Sequence, residues 1–124
     1  MTDLQIIIGK TVDDKLYFRV LIEGGRILFT SRDYGEIEKC MNEIYAVQQY
    51  KYFAITEDFV KNHGYQYTLL TEAGRVIGTS RYYLSEHGMR NDISIFTKYV
   101  AKAEVIDTSA LIRFFRKSTP IAIP

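Results

Sequence analysis

The chain has 124 residues, 16 Lys and Arg against 15 Asp and Glu for a formal charge of +1, one cysteine, and an apolar fraction of 47%. A chain of this size buries a core without disulfides or structural metal, and a lone Cys40 excludes an intrachain disulfide while fitting a reducing compartment. The balanced charge removes an electrostatic drive toward nucleic acid or anionic lipid, and no stretch approaches the roughly 18 apolar residues of a membrane span. The opening MTDLQIIIGK shows no basic segment followed by a long apolar run and cleavage site, so a cytoplasmic location is expected.

Leu4, Ile6 and Ile8 alternate with Gln5 and Ile7 in a short β pattern that ends at Gly9 and a polar loop around Asp13 and Asp14. In the next pattern Leu16, Phe18, Val20 and Ile22 face the core, while Tyr17, Arg19 and Leu21 face away from it. Gly24 and Gly25 then mark a tight hairpin whose backbone needs φ > 0. Glu23 and Arg26 flank that turn, as Glu72 and Arg75 flank the one at Gly74, and the expected use of each pair is a solvated cross-strand contact worth under ~1 kcal/mol.

After a third strand, Ile27 to Thr30, the period becomes helical. Ile37, Cys40, Met41, Ile44 and Val47 form one face, with Glu36, Glu38, Lys39 and Glu43 opposite. The β-prone KYFAITE, Lys51 to Glu57, leads through a loop at Asn62, His63 and Gly64 into a strand from Tyr65 to Thr71. A second amphipathic helix begins after Ser85, a good N-cap, and turns Met89, Ile93, Phe96 and Val100 inward. AEVID, Ala103 to Asp107, reads as a closing strand.

Most of this chain occurs twice. EGGRILFTSRDY, starting at Glu23, returns as EAGRVIGTSRYY, starting at Glu72, an offset of 49 residues that holds without a gap from the first strand to the end of the helix. The offset relates Gly25 to Gly74, Arg26 to Arg75, Tyr34 to Tyr83 and Ile44 to Ile93. A repeat of this length is a supersecondary unit that needs its neighbour to bury its apolar face. The expected fold is therefore α+β: two tandem β-β-β-α units and a closing strand, forming one antiparallel sheet with two helices packed on it. The expected organisation is a single domain over residues 1–108, built from repeats at about 1–52 and 53–108, with an extension at 109–124 outside the repeat. The apolar residues of that extension, Leu111, Ile112, Phe114 and Phe115, are expected to cover a sheet edge or to mediate self-association.

With GRILFTSRDY and GRVIGTSRYY, each followed by a helix carrying a central Asn and Ile, the chain resembles the YegP-like family of small bacterial proteins from about Leu4 to Asp107. The resemblance implies a tandem pair of three-strand-plus-helix units in a single sheet, the last strand exchanged between units. It implies no biochemical activity, because the family has none established. The sequence departs from the family's Asn-Gly-Ile, which here reads Asn42-Glu43-Ile44 and Asn91-Asp92-Ile93. It also has Gly35 and Glu36 in place of a Thr-Ser helix start.

The polar group that the repeat keeps is Thr30, Ser31, Arg32 and Tyr34, with Thr79, Ser80, Arg81 and Tyr83. Two such corners can present hydroxyls, guanidinium groups and helix N-terminal amides to a small anion. They can equally serve the fold, with Thr and Ser satisfying backbone groups and Tyr packing beneath the helix. Cys40 belongs to an apolar stripe, and His63 and His87 have no ligand spacing, so neither a nucleophile nor a metal is expected, and no cofactor. Tyr17, Arg19, Gln66 and Thr68 share the strand face away from the helices, where the near-neutral charge disfavours nucleic acid. The residues point to a non-catalytic protein-association module whose partner is a second copy (a homodimer) or another protein. The alternative is a small-anion or single-stranded nucleic-acid binder using the Thr-Ser-Arg-x-Tyr corners.

Overall fold

The computed structural model describes residues 3–22, 24–50 and 53–109. In chain order its elements are β1 (Leu4–Lys10), β2 (Leu16–Ile22), β3 (Arg26–Ser31), α1 (Ile37–Gln49), β4 (Phe53–Val60), β5 (Gly64–Thr71), β6 (Val76–Thr79), α2 (Glu86–Tyr99), a 3-10 turn at Val100–Lys102, and β7 (Glu104–Asp107). The architecture is α+β. The strands form one seven-stranded sheet in the order β4-β5-β6-β3-β2-β1-β7.

That sheet is mixed, which corrects the expectation of an antiparallel one. β7 runs parallel to β1, with Gln5 opposite Glu104 and Ile8 opposite Asp107. The alternation of side chains is the same in either strand direction, so AEVID carries no sign of it. A strand that returns from a helix can enter in the parallel sense, which a short hairpin forbids. The other neighbouring pairs are antiparallel.

Both helices cover the same face. Phe18, Val20, Phe29, Tyr67 and Leu69 of the sheet, Cys40, Ile44 and Val47 of α1, and Met89 and Phe96 of α2 join one buried cluster. Phe29 lies at its centre, with ring centroids 6.0 Å from Phe18 and 5.8 Å from Phe96. Position 78, which the 49-residue offset relates to Phe29, is a glycine. A Cβ there would stand 2.2 Å from the Thr30 carbonyl oxygen and 2.6 Å from Phe29 Cζ. The junction between β3 and β6 thus holds one aromatic ring, and a bare backbone faces it.

The hairpin glycines adopt left-handed backbone, φ 91° at Gly25 and 85° at Gly74, and their amides donate to Ile22 and Thr71 carbonyls at 2.9 Å. Glycine meets this demand without the steric penalty of a Cβ. Ser85 caps α2, its Oγ accepting from the Gly88 amide at 3.0 Å. The predicted faces of α1 need two corrections. Met41, expected inside, is 40% exposed, whereas Glu43, expected in solvent, is buried.

On the opposite face of the sheet the registers align one residue from every strand in a single row: Ile106, Ile7, Arg19, Thr30, Thr79, Thr68 and Thr56, from β7 to β4. None of the seven is fully buried. Residues 110–124, including Leu111 to Phe115, and Glu23 of the first proposed hairpin pair lie outside the described residues.

Candidate functional site

The conserved spacing within the chain places its repeated polar residues at two corners where β3 and β6 lead toward the helices. Each corner closes with a β-bridge, Leu16 to Tyr34 in one and Tyr65 to Tyr83 in the other. Ser31 and Ser80 turn inward. Ser31 Oγ accepts from the Phe18 amide at 2.8 Å and donates to the Arg32 carbonyl at 2.7 Å. Ser80 Oγ accepts from the Tyr67 amide at 3.0 Å and donates to the Arg81 carbonyl at 2.7 Å. Both hydroxyls are engaged within the fold, each satisfying an amide that has no ladder partner there.

Thr30 and Thr79 take the other direction. They are directly opposite each other across β3 and β6, on the face away from the helices. Arg32 and Arg81 lie over the rings of Tyr34 and Tyr83, 4.5 and 4.2 Å from the centroids. The eight residues therefore separate into an inward pair of serines, an outward pair of threonines, and two Arg-on-Tyr stacks.

Each Tyr hydroxyl leads to a buried carboxylate that the strand and helix patterns did not single out. Tyr34 donates to Glu43 Oε1 at 3.0 Å, and Tyr83 donates to Asp92 Oδ2 at 2.8 Å. The second partner comes from the opposite half of the chain. Arg75 Nη1 and Nη2 donate to Glu43 Oε1 and Oε2 at 3.2 and 3.4 Å. Arg26 Nη1 donates to Asp92 Oδ2 at 2.5 Å. Arg32 adds a longer ion pair to Glu43 at 3.5 Å. Arg75, expected to pair with Glu72 across its hairpin, reaches α1 instead, and Arg26 likewise reaches α2.

Burial sets the electrostatics of these corners. It pushes the Tyr34 and Tyr83 hydroxyls well above the ordinary tyrosine value, and the neighbouring Glu43 and Asp92 carboxylates push in the same direction. Both remain proton donors to their carboxylates. The Asp92 hydrogen bond raises Arg26 further. Burial also pushes the Cys40 thiol up to about 12, so it stays a thiol at neutral pH.

The remaining candidates are spread out. His63 stacks on Tyr82 at 5.1 Å, while His87 is exposed on α2. Among the described residues no three His, Cys, Asp or Glu side chains cluster as a metal would require. Of two surface cavities, one of about 510 Å³ is lined by Leu4, Lys98 and Tyr99, and one of about 440 Å³ by Lys10, Leu16, Gly35 and Ile37, next to the Leu16–Tyr34 bridge of the first corner. At one corner Leu84, Phe59 and Tyr82 are exposed, and Phe59 packs against Tyr65 with centroids 5.0 Å apart.

A sequence signal for the buried carboxylates did exist. Glu43 and Asp92 occupy the position where the YegP-like pattern has glycine, and both copies carry an acid there. An acidic residue placed identically in two helices, beside Arg26 and Arg75 placed identically in two hairpins, is the trace of a paired interaction.

Two solved structures share this fold. UPF0339 protein SO3888 from Shewanella oneidensis superposes with a TM-score of 0.78 at 21% identity, covering 87% of this chain and 93% of that one. The protein of unknown function yegP from E. coli superposes with a TM-score of 0.77 at 17% identity, covering 88% and 96%. No family model and no curated protein matches the sequence. Among the described residues no helix is long and apolar enough to cross a membrane.

Proposed function

We propose that this chain, which has the fold of the YegP-like proteins, is a non-catalytic association module of the cytoplasm. We read residues 1–108 as two fused units sharing one core. Hydrogen bonds that recur at the 49-residue offset support the duplication: Phe18 to Ser31 and Tyr67 to Ser80, Tyr34 to Glu43 and Tyr83 to Asp92.

The observation that carries the association reading is the apolar corner of the second half. Leu84 is fully exposed at 101%, Phe59 is 63% exposed, and exposed Tyr82 stacks on His63; Phe59 packs on Tyr65, which bridges to Tyr83 between Tyr82 and Leu84. At about 25 cal/mol per Å², covering these side chains is favourable, and several large apolar side chains exposed in one region mark a contact site better than a lone residue does. The Ser31 and Ser80 hydroxyls, in contrast, are already engaged, which leaves the anion-binding alternative to depend on Arg32 and Arg81.

The partner at this corner is a second copy, since one apolar patch facing itself across a twofold axis is self-complementary. Light scattering over a concentration series tests the reading. The mass is expected to rise toward a dimer with concentration, to stay monomeric in Leu84→Asp, and to be unchanged by single-stranded RNA. A monomer at every concentration that gains mass only with RNA would transfer the corners to the alternative function.

A further inference from the structure

The sheet ends in two strands of unequal length. β7 is four residues long, whereas β4 is eight, and its outer edge has no partner among the described residues. Such an edge presents unpaired amides and carbonyls to any extended segment of suitable charge. β4 is long enough for a complete additional strand, since strands average about five or six residues.

Charge decides what that segment is. β4 reads FAITEDFV and β7 reads EVID, each with two carboxylates and no basic residue. Two copies joined edge to edge bring two acidic segments together whichever edges meet, and like charges opposed across strands are destabilising. Within β4 the acids occupy both faces. Glu57 is on the helix side, accepting from Arg90 Nε at 2.9 Å, and Asp58, on the open side, makes no ion pair among the described residues. Ala54, Thr56 and Asp58 are exposed on that open side, so an added strand meets no bulky obstruction there.

We propose that the β4 edge, along Ala54 to Asp58, is a docking site for a basic, extended segment of another protein, which adds to the sheet as an eighth strand. Backbone hydrogen bonds supply affinity, and a Lys or Arg set beside Asp58 supplies selectivity. The inference rests on the association reading and uses the stretch of β4 that adjoins that corner, Ala54 to Asp58, next to Phe59. The edge serves a heterologous partner, while the Leu84 corner serves the second copy.

The test uses the full chain, isotope-labelled for amide NMR, and two ten-residue probe peptides, one alternating Val with Lys and the other Val with Glu. The Val-Lys peptide is expected to shift the Ala54 to Asp58 amides and to bind at least tenfold more weakly in Asp58→Lys or at high salt. The Val-Glu peptide is expected to shift nothing. Equal response to both peptides, shifts centred on β7 or elsewhere, or no binding of either would overturn the proposal. So would Ala54 to Asp58 amide shifts that follow protein concentration in Leu84→Asp without any peptide, because a second copy would then hold the edge itself. Repeating the titration in Leu84→Asp separates the two readings: binding of Val-Lys there, with dimerisation lost, leaves the edge site standing by itself.

Discussion

Arg75 in the hairpin before β6 holds Glu43 of α1 through two hydrogen bonds at 3.2 and 3.4 Å, and so fastens the second half of the chain to the helix of the first. Arg26 does the same in the opposite direction, to Asp92 of α2. Each carboxylate also accepts from a buried tyrosine, so neither is an isolated charge.

Removing one partner of such a pair leaves the other buried and unpaired, which costs about 3–5 kcal/mol in a fully buried setting. Arg26 keeps 42% of its side chain exposed, and water can reach the vacated place, so Arg26→Met is expected to cost about 1–3 kcal/mol. Asp92→Leu alone orphans Arg26 and Tyr83. The double variant Arg26→Met/Asp92→Leu is expected to cost less than the sum of the singles by at least ~0.5 kcal/mol. Urea unfolding of the four proteins measures this, and strict additivity would show that the contact carries no coupling.

Gly78 has no space for a methyl group. Gly78→Ala is expected to destabilise by about 1–3 kcal/mol, the usual cost of overpacking. Shortening the facing ring with Phe29→Leu is expected not to rescue it, because the nearest obstacle, 2.2 Å away, is the Thr30 backbone oxygen. Thermal melts of the single and double variants decide the matter. A double variant more stable than Gly78→Ala alone would place the conflict on the ring instead.

Turn glycines and core faces were legible in the sequence because their causes are local. Gly25 and Gly74 advertise positive φ, Ser85 advertises a cap, and the period-2 patterns of β2 and β5 separate Phe18 and Tyr67 from Arg19 and Gln66. Glu43 was misplaced for the opposite reason. A carboxylate within a helical polar stripe reads as solvated, and the guanidinium that draws it inward lies 32 residues further along. The parallel entry of β7 was hidden likewise, since the choice of neighbour depends on the path from α2 and not on the residues of the strand. Within the site, the eight repeated polar residues lie at two corners; outward Thr and inward Ser follow from plain strand alternation at the ends of β3 and β6, whereas the stacking of Arg32 and Arg81 on Tyr34 and Tyr83 lies beyond the strands, where no periodicity speaks.

Gly25 and Gly74 provide a backbone test that is free of packing, because a Cβ at either would meet nothing within 4 Å. Valine at either position is expected to cost about 1–2 kcal/mol, from the left-handed φ alone. Asn, which tolerates that region better, is expected to cost less. Equal losses for Val and Asn, measured by chemical denaturation, would mean that φ is not the origin.

Alkaline pH acts through four buried groups. Tyr34, Tyr67 and Tyr83 are raised well above the ordinary tyrosine value of 10.0, chiefly by burial, and Cys40 is raised from 9.0 to about 12. Each is neutral when folded and loses its proton more readily when unfolded. Stability from these groups is therefore fully present below about pH 9 and falls as pH rises, through 12 for Cys40 and beyond for the tyrosines. Tyrosinate absorbance is expected to rise in two stages, exposed rings first and the three buried ones only with cooperative unfolding. Thiol labelling of Cys40 at pH 9 should be limited by the same opening.

β3 and β6 are joined by just two aligned residue pairs, Thr30 with Thr79 and Ser31 with Gly78, whereas β4 and β5 share eight. The middle of the sheet is thus its thinnest ladder, and backbone hydrogen bonds do little there to make the two halves unfold as one. Cooperativity has to come from clasps outside the ladder: the crossed Arg26 and Arg75, the Phe29 ring over Gly78, and β7 returning to β1. A chain that loses its clasps but keeps its hairpins should come apart along that seam, with amide protons between β3 and β6 exchanging sooner than those between β4 and β5.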